Sequence, residues 1–200
     1  MSAAVMLTGF TLGISLILAI GAQNAFILKQ GLKQQHVFIV CLICALSDAI
    51  LISAGVAGFG AIVKQFPLIE QISRYAGGAF LFVYALLSFK SAVTAKHVMT
   101  AQGKDVGSAA TAVITCLAFT WLNPHVYLDT VILLGSISTQ YEGQQVSFVT
   151  GAVLGSFVFF FSLGYGAKLL IPIFQKPNAW KVLEFIIGAV MLALALSLVT

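Results

Sequence analysis

Charge is what this 200-residue chain has least of. Charged side chains make up 8% of it, ten basic and six acidic, against about 25% in an ordinary soluble domain. No polar stretch is long enough to be a second domain, so residues 1–200 read as a single all-α membrane domain. The net charge of +4 is not gathered into a stripe, which excludes a nucleic-acid surface; the basic residues fall between apolar runs and read as topology signals. Cysteine is scarce too. Cys41 and Cys44 form a C-x-x-C, but no second pair and no nearby histidine completes a zinc site, so these and Cys116 read as small packing residues. There is no phosphate loop, no His-Glu-x-x-His and no credible Ser/His/Asp set. The chain is therefore expected not to be an enzyme and to need no cofactor or metal. No Lys or Arg precedes the first apolar run, which extends about 24 residues from Val5 to Leu28. A signal-peptide core is about 7–15 residues, so this run is read as a membrane helix.

What is present is hydrophobic length. Hydrophobic residues are 60% of the chain and its mean hydropathy is +1.05. Crossing a bilayer takes about 20 apolar residues as a helix. Six runs meet that need: Val5–Leu28, Val37–Val63, Ile72–Val93, Ala109–Ile137, Val146–Phe174 and Trp180–Val199. The polar segment Thr94–Ser108 is expected to link two halves, about 1–93 and 109–200. Lys29, Lys33, Lys90, Lys96, Lys104, Lys168, Lys176 and Lys181 fall on one side of this plan, with only Lys64 and Arg74 opposite. The excess of lysine assigns the first side to the cytoplasm.

The halves echo each other. Gly21-Ala22-Gln23-Asn24 parallels Thr120-Trp121-Leu122-Asn123 at an offset of 99 residues. Ser53-x-Gly55 parallels Ser162-x-Gly164 at 109, and Gly78-Ala79 parallels Gly188-Ala189 at 110. Three-helix repeats must run in opposite directions through a membrane. The expected fold is six transmembrane helices as two inverted three-helix repeats, an organisation common in secondary transporters.

Asp48 and Asp129 lie inside apolar runs, where a carboxylate costs about 2.5–3.5 kcal/mol on insertion scales. Such a group is a receptor for a proton, a metal ion or a cationic solute; otherwise it is a structural carboxylate held by Ser47, Ser53, Thr130 or Tyr127. Asn123-Pro124 interrupts the fourth run: proline has no backbone N–H and frees a carbonyl of the preceding turn for a ligand. Gln23 and Asn24 offer side-chain amides at the corresponding place in the first run. A kink that serves packing alone is the other reading. His125 is either a proton relay or a polar residue exposed by the kink. Gly9-x-x-x-Gly13 and Gly151-x-x-x-Gly155 allow close helix contact.

Three stretches together resemble the LysE/ArgO family of basic amino-acid exporters. They are Gly21-Ala22-Gln23-Asn24-Ala25-Phe26-Ile27-Leu28-Lys29-Gln30-Gly31, Ala45-Leu46-Ser47-Asp48-Ala49-Ile50-Leu51-Ile52, and Thr120-Trp121-Leu122-Asn123-Pro124-His125-Val126-Tyr127-Leu128-Asp129-Thr130. The resemblance implies export of L-lysine, L-arginine or close analogues across a bacterial inner membrane. The residues fit it. Gln23, Asn24, Asp48, Asn123, Pro124 and Asp129 are the candidate substrate site, with carboxylates for a cationic side chain and kinked backbone for the amino-acid head. A secondary exporter driven by protons or by membrane potential is expected, with the bilayer as its medium and self-association compatible with it. Export of a metal or other small cation is an alternative, as is a membrane scaffold without transport.

Overall fold

The computed structural model describes residues 2–18, 21–59, 67–94, 108–174 and 176–199, and contains no strand among them. Eight helices account for most of these residues: α1 (Ala3–Ile17), α2 (Ala22–Lys33), α3 (Val37–Ala54), α4 (Pro67–Thr94), α5 (Ala109–Trp121), α6 (Pro124–Ser138), α7 (Gln145–Gly166) and α8 (Pro177–Val199). Helix is the form a chain this apolar must take, because it satisfies every mid-segment N–H and C=O without water. Val37–Gly58, Tyr75–Thr94, Gln145–Phe174 and Asn178–Leu198 are each long and apolar enough to cross a membrane. The other two expected spans are broken. α1 and α2 meet at 85° and α5 and α6 at 60°, so there are up to six spans if each bent pair counts as one. The expected linker and Lys64, Lys96 and Lys104 lie outside the described residues, apart from Thr94 and Ser108 at the linker's ends.

Local chemistry places the ends. Ser108 starts α5 by accepting a hydrogen bond from Ala110 N at 3.2 Å. Asn123 starts α6, with Pro124 in the first turn where its missing N–H costs nothing. The short α2–α3 connection turns through two left-handed residues, Gln34 (φ 54°) and His36 (φ 52°). α3 ends in a wide turn, Gly55–Phe59, bent at Gly58 (φ 94°), a conformation glycine adopts without steric cost.

Three helix pairings hold the bundle. α1 runs along α7, α4 runs along α8, and α3 lies between α7 and the α5–α6 pair. The closest approaches are glycine on backbone. A side chain at Gly9 would collide with Phe148 O, and one at Gly151 with Met6 O. Near the far end of α3, a Cβ on Gly135 would lie 2.6 Å from Gly55 O. At the opposite end, a Cβ on Gly31 would collide with Gly164 O. Without a hydrophobic difference between helix and lipid, such close packing supplies much of the association energy.

The bundle thus has two ends. One gathers the close of α2, the start of α3, the close of α4 and α7 and the start of α8, and carries Lys33, Lys90, Lys168, Lys176 and Lys181. The other holds the starts of α1 and α7, joined where Ser2 N donates to Ser147 Oγ at 3.1 Å. All three thiols are buried, with Cys44 and Cys116 in contact at 3.0 Å and Cys41 donating to Phe160 O at 3.2 Å.

Candidate functional site

Both helix breaks open on one cavity of about 320 Å³. Its wall includes Gly13 and Ile17 from α1, Gly21, Gln23 and Asn24 from the first break, and Asp48 and Ile52 from α3. Asn123, His125, Asp129 and Thr130 come from the second break, Phe160 from α7 and Leu194 from α8. Five of the six candidate residues are therefore in one wall. Pro124, the sixth, is not, but it starts the helix that carries His125 and Asp129.

The first break is built around Gly21, whose extended backbone (φ −107°, ψ 174°) precedes α2 and whose lack of a side chain leaves the helix start without a side-chain cap. The earliest backbone bond of α2 is Ala25 N to Gly21 O at 3.1 Å. A helix start carries unsatisfied N–H groups and about half a positive charge. Asn24 Nδ2 donates to Ile17 O at 2.7 Å, clasping the end of α1 to the start of α2. Gln23 is buried beside the Cys44 thiol, and its Nε2 makes no hydrogen bond of good geometry among the described residues.

The second break is more fully satisfied. Asn123 Oδ1 accepts from His125 N at 3.1 Å. The carbonyl of Thr120, four residues before Pro124, was expected to await a ligand; it accepts from Asn123 N at 3.4 Å instead. Trp121 O accepts from the Tyr127 hydroxyl at 2.8 Å. α6 then widens into a π turn over Tyr127–Leu133, where Thr130 Oγ1 donates to Val126 O at 2.5 Å. Such turns concentrate at functional sites, and this one carries Asp129.

Asp48 is 3% exposed, and its Oδ2 accepts from Ser156 Oγ of α7 at 2.9 Å. None of the four partners considered from the sequence is the one found. Ser47 Oγ accepts from Trp121 Nε1 at 3.2 Å, while Thr130 and Tyr127 bond to backbone. Ser156 follows Gly155, on the stretch that packs closely against α1, and no spacing in the sequence links it to Asp48. Asp129 is half-buried and His125 exposed. Among the described residues the wall holds two aspartates and no lysine or arginine, so it favours a positive charge.

A third acidic side chain, outside the cavity wall, is also buried in the bundle. Glu184, on the face of α8 toward α2, takes Lys29 at 2.7 Å (Oε1) and 3.0 Å (Oε2). Lys29 is thus a bundle residue as well as an expected topology charge. A lone glutamate in the last apolar run was the available signal.

Apolar helices broken in two places over an internal cavity lined by aspartates define a membrane translocator. Residues 14–200 match the family model described as LysE type translocator. The chain is 40% identical over 197 residues to the arginine exporter protein ArgO of Pectobacterium carotovorum subsp. carotovorum (strain PC1), covering 98% of this chain and 96% of that one. It is 37% identical over 191 residues to the arginine exporter protein ArgO of Salmonella paratyphi A, covering 95% and 90%. The chain belongs to the LysE type translocator family. These proteins are transporters, not enzymes. No solved structure matches.

Proposed function

We propose that this protein is a secondary exporter of cationic amino acids, L-arginine or L-lysine, across a bacterial inner membrane. The observation that carries the proposal is the pairing in one cavity of a buried carboxylate, Asp48, with an uncapped helix start and the buried side-chain amide of Gln23. A helix start and an N–H donor suit an α-carboxylate; Asp48 and Asp129 suit a cationic side chain. The volume is at the small end of ligand sites, about 300–1,000 Å³, which suits one amino acid. The exporters named above favour arginine among the cations.

The two breaks support the inverted-repeat organisation. Gly55, in the turn that ends α3, meets Gly135 of α6 at one end of the bundle, and Gly164 of α7 meets Gly31 of α2 at the other. These are the same two contacts if the second three-helix unit is the first turned over. With the lysine-bearing end in the cytoplasm, the cavity lies in the outer half, walled there by Ile52, Leu134 and Leu194.

Moving one positive charge outward against an inside-negative potential costs about 2.3 kcal/mol per 100 mV. A gradient of about 50-fold offsets that, at about 1.4 kcal/mol per decade. Exchange for an inbound proton makes the cycle electroneutral, and Asp48 is the group that would bind proton and cargo in turn. Metal export is the weaker reading: among the described residues no three His, Cys, Asp or Glu side chains come together, and hard cations take about six to eight oxygens.

Efflux of radiolabelled L-arginine, L-lysine and a neutral amino acid from proteoliposomes tests the reading. Movement of the two cationic amino acids alone is expected. Release of neutral amino acids only, or of none, overturns it.

A further inference from the structure

The Lys29–Glu184 pair lies away from the central cavity, toward the basic end. Leu194, which walls the cavity, is ten residues further along α8 than Glu184, about 15 Å at helical rise. An aromatic cluster lies on the same side as the pair: Phe119 meets Phe26 at 5.4 Å and Phe80 and Tyr84 at 4.9 Å between ring centroids. Tyr84 belongs to both groups, since Lys29 Nζ lies 5.7 Å from its ring centroid. The ammonium is therefore held by a carboxylate on one side and an aromatic face on another, the two groups that recognise organic cations.

Stability alone gives weak reason for the pair. Exchanging a buried ion pair for apolar side chains is often neutral or stabilising. Its neighbours are also left incomplete. Ser88 lies one turn from Tyr84 on α4, and Trp180 one turn from Glu184 on α8; both are more than nine-tenths buried. Ser88 Oγ, Trp180 Nε1 and the Oε1 of Gln30, next to Lys29, have no hydrogen-bond partner among the described residues. Buried polar groups are paired in the great majority of cases, so three orphans on the turns around one ion pair call for a ligand or water in another state.

We propose that Glu184, Tyr84, Ser88 and Trp180 form a second cation site, the loading site for the side chain of a cationic amino acid entering from the basic end. In the state described, Lys29 fills it. The lysine side chain is a cation on a four-carbon stem, the same group that L-lysine presents and close to that of L-arginine. It acts as a tethered competitor: cargo at the basic end displaces Lys29 from Glu184, α2 is released from α8, and the aromatic cluster can part toward Asp48. This rests on the export reading above.

The test measures L-arginine transport from the basic end in oriented proteoliposomes for the parent chain, Lys29→Gln, Glu184→Gln and the double variant. Lys29→Gln removes the competitor and is expected to lower the half-saturating concentration severalfold. Glu184→Gln is expected to raise it about tenfold, and the double variant to follow Glu184→Gln. A merely structural pair predicts the reverse pattern: both single variants lose folded protein and rate, the double recovers them, and half-saturation stays where it was. That result overturns the proposal. If a charge variant fails to insert, Ser88→Cys in a chain with its own cysteines changed to alanine gives a second readout. L-Arginine added at the basic end is expected to slow its labelling by a cationic thiol reagent severalfold, and unchanged labelling overturns the site. A parent chain that moves no cationic amino acid removes the export reading and this site with it; a parent that does, with variants that shift together or not at all, removes this site alone.

Discussion

Asp48 and Ser156 set the terms at the scale of single residues. The carboxylate is almost fully buried and its Oδ2 has one side-chain donor, at 2.9 Å. Asp48→Asn keeps the volume and removes the charge, so efflux of L-arginine should fall to background while the protein still inserts; near-normal efflux at normal abundance would leave Asp48 without a role in binding. A hydrogen bond to a charged group contributes about 1.5–3 kcal/mol. Ser156→Ala should therefore impair transport about tenfold or more, but less than Asp48→Asn, and kinetics on reconstituted protein separate the two. Asp129 is only half-buried, and water screens it more than Asp48. Asp129→Asn should reduce efflux by a smaller factor.

At the scale of elements, the breaks are shaped as much as they are open. Asn24 and Asn123 each bond within the protein, one to Ile17 O and the other from His125 N. We read both as groups that hold the broken helices in position, with the uncapped α2 start and Gln23 facing the cargo. Loss of such a cap costs about 1 kcal/mol. Asn24→Ala and Asn123→Ala should each weaken transport of every cargo alike, measured as parallel losses for L-arginine and L-lysine; a change in preference between the two would point to direct contact instead. Helix contacts give a sharper contrast. A Cβ on Gly31 runs into Gly164 O, whereas one on Gly166 meets nothing within 4 Å. Gly31→Ala should destabilise by about 1–3 kcal/mol, as overpacking does, and Gly166→Ala should be near neutral. Thermal unfolding of the two variants in the same detergent checks the difference.

The whole molecule poses a question of sidedness. Gln34 lies in the α2–α3 connection at the basic end, and Glu142 precedes α7 at the other. Both are exposed. With the basic end inside, a cysteine at Gln34 should react with a membrane-impermeant thiol reagent only after the cells are opened, and one at Glu142 in intact cells. Reversal of the two would turn the export direction of the cavity around. Both sites reacting from one side would mean that the bent pairs do not each act as one span.

Much of this was legible in the chain because membrane chemistry is severe. Scarce charge and long apolar runs left helices as the available form, and Asn123-Pro124 marked one break by removing a backbone donor. Asp48 and Asp129 stood out as carboxylates where carboxylates are costly, and the stretches around Gln23, Asp48 and Asn123 carried the family resemblance. The sharp turn at the first break was less legible, since glycine permits a bend without requiring one. Which groups meet was decided only by tertiary structure. Ser156 reaches Asp48 from 108 residues away, and Lys29 reaches Glu184 from 155. Hydrophobic periodicity records which face of a helix is buried, but not which partner lies across from it. The partner depends on how closely the backbones approach, and here that is set by glycines meeting carbonyls across helices far apart in the chain.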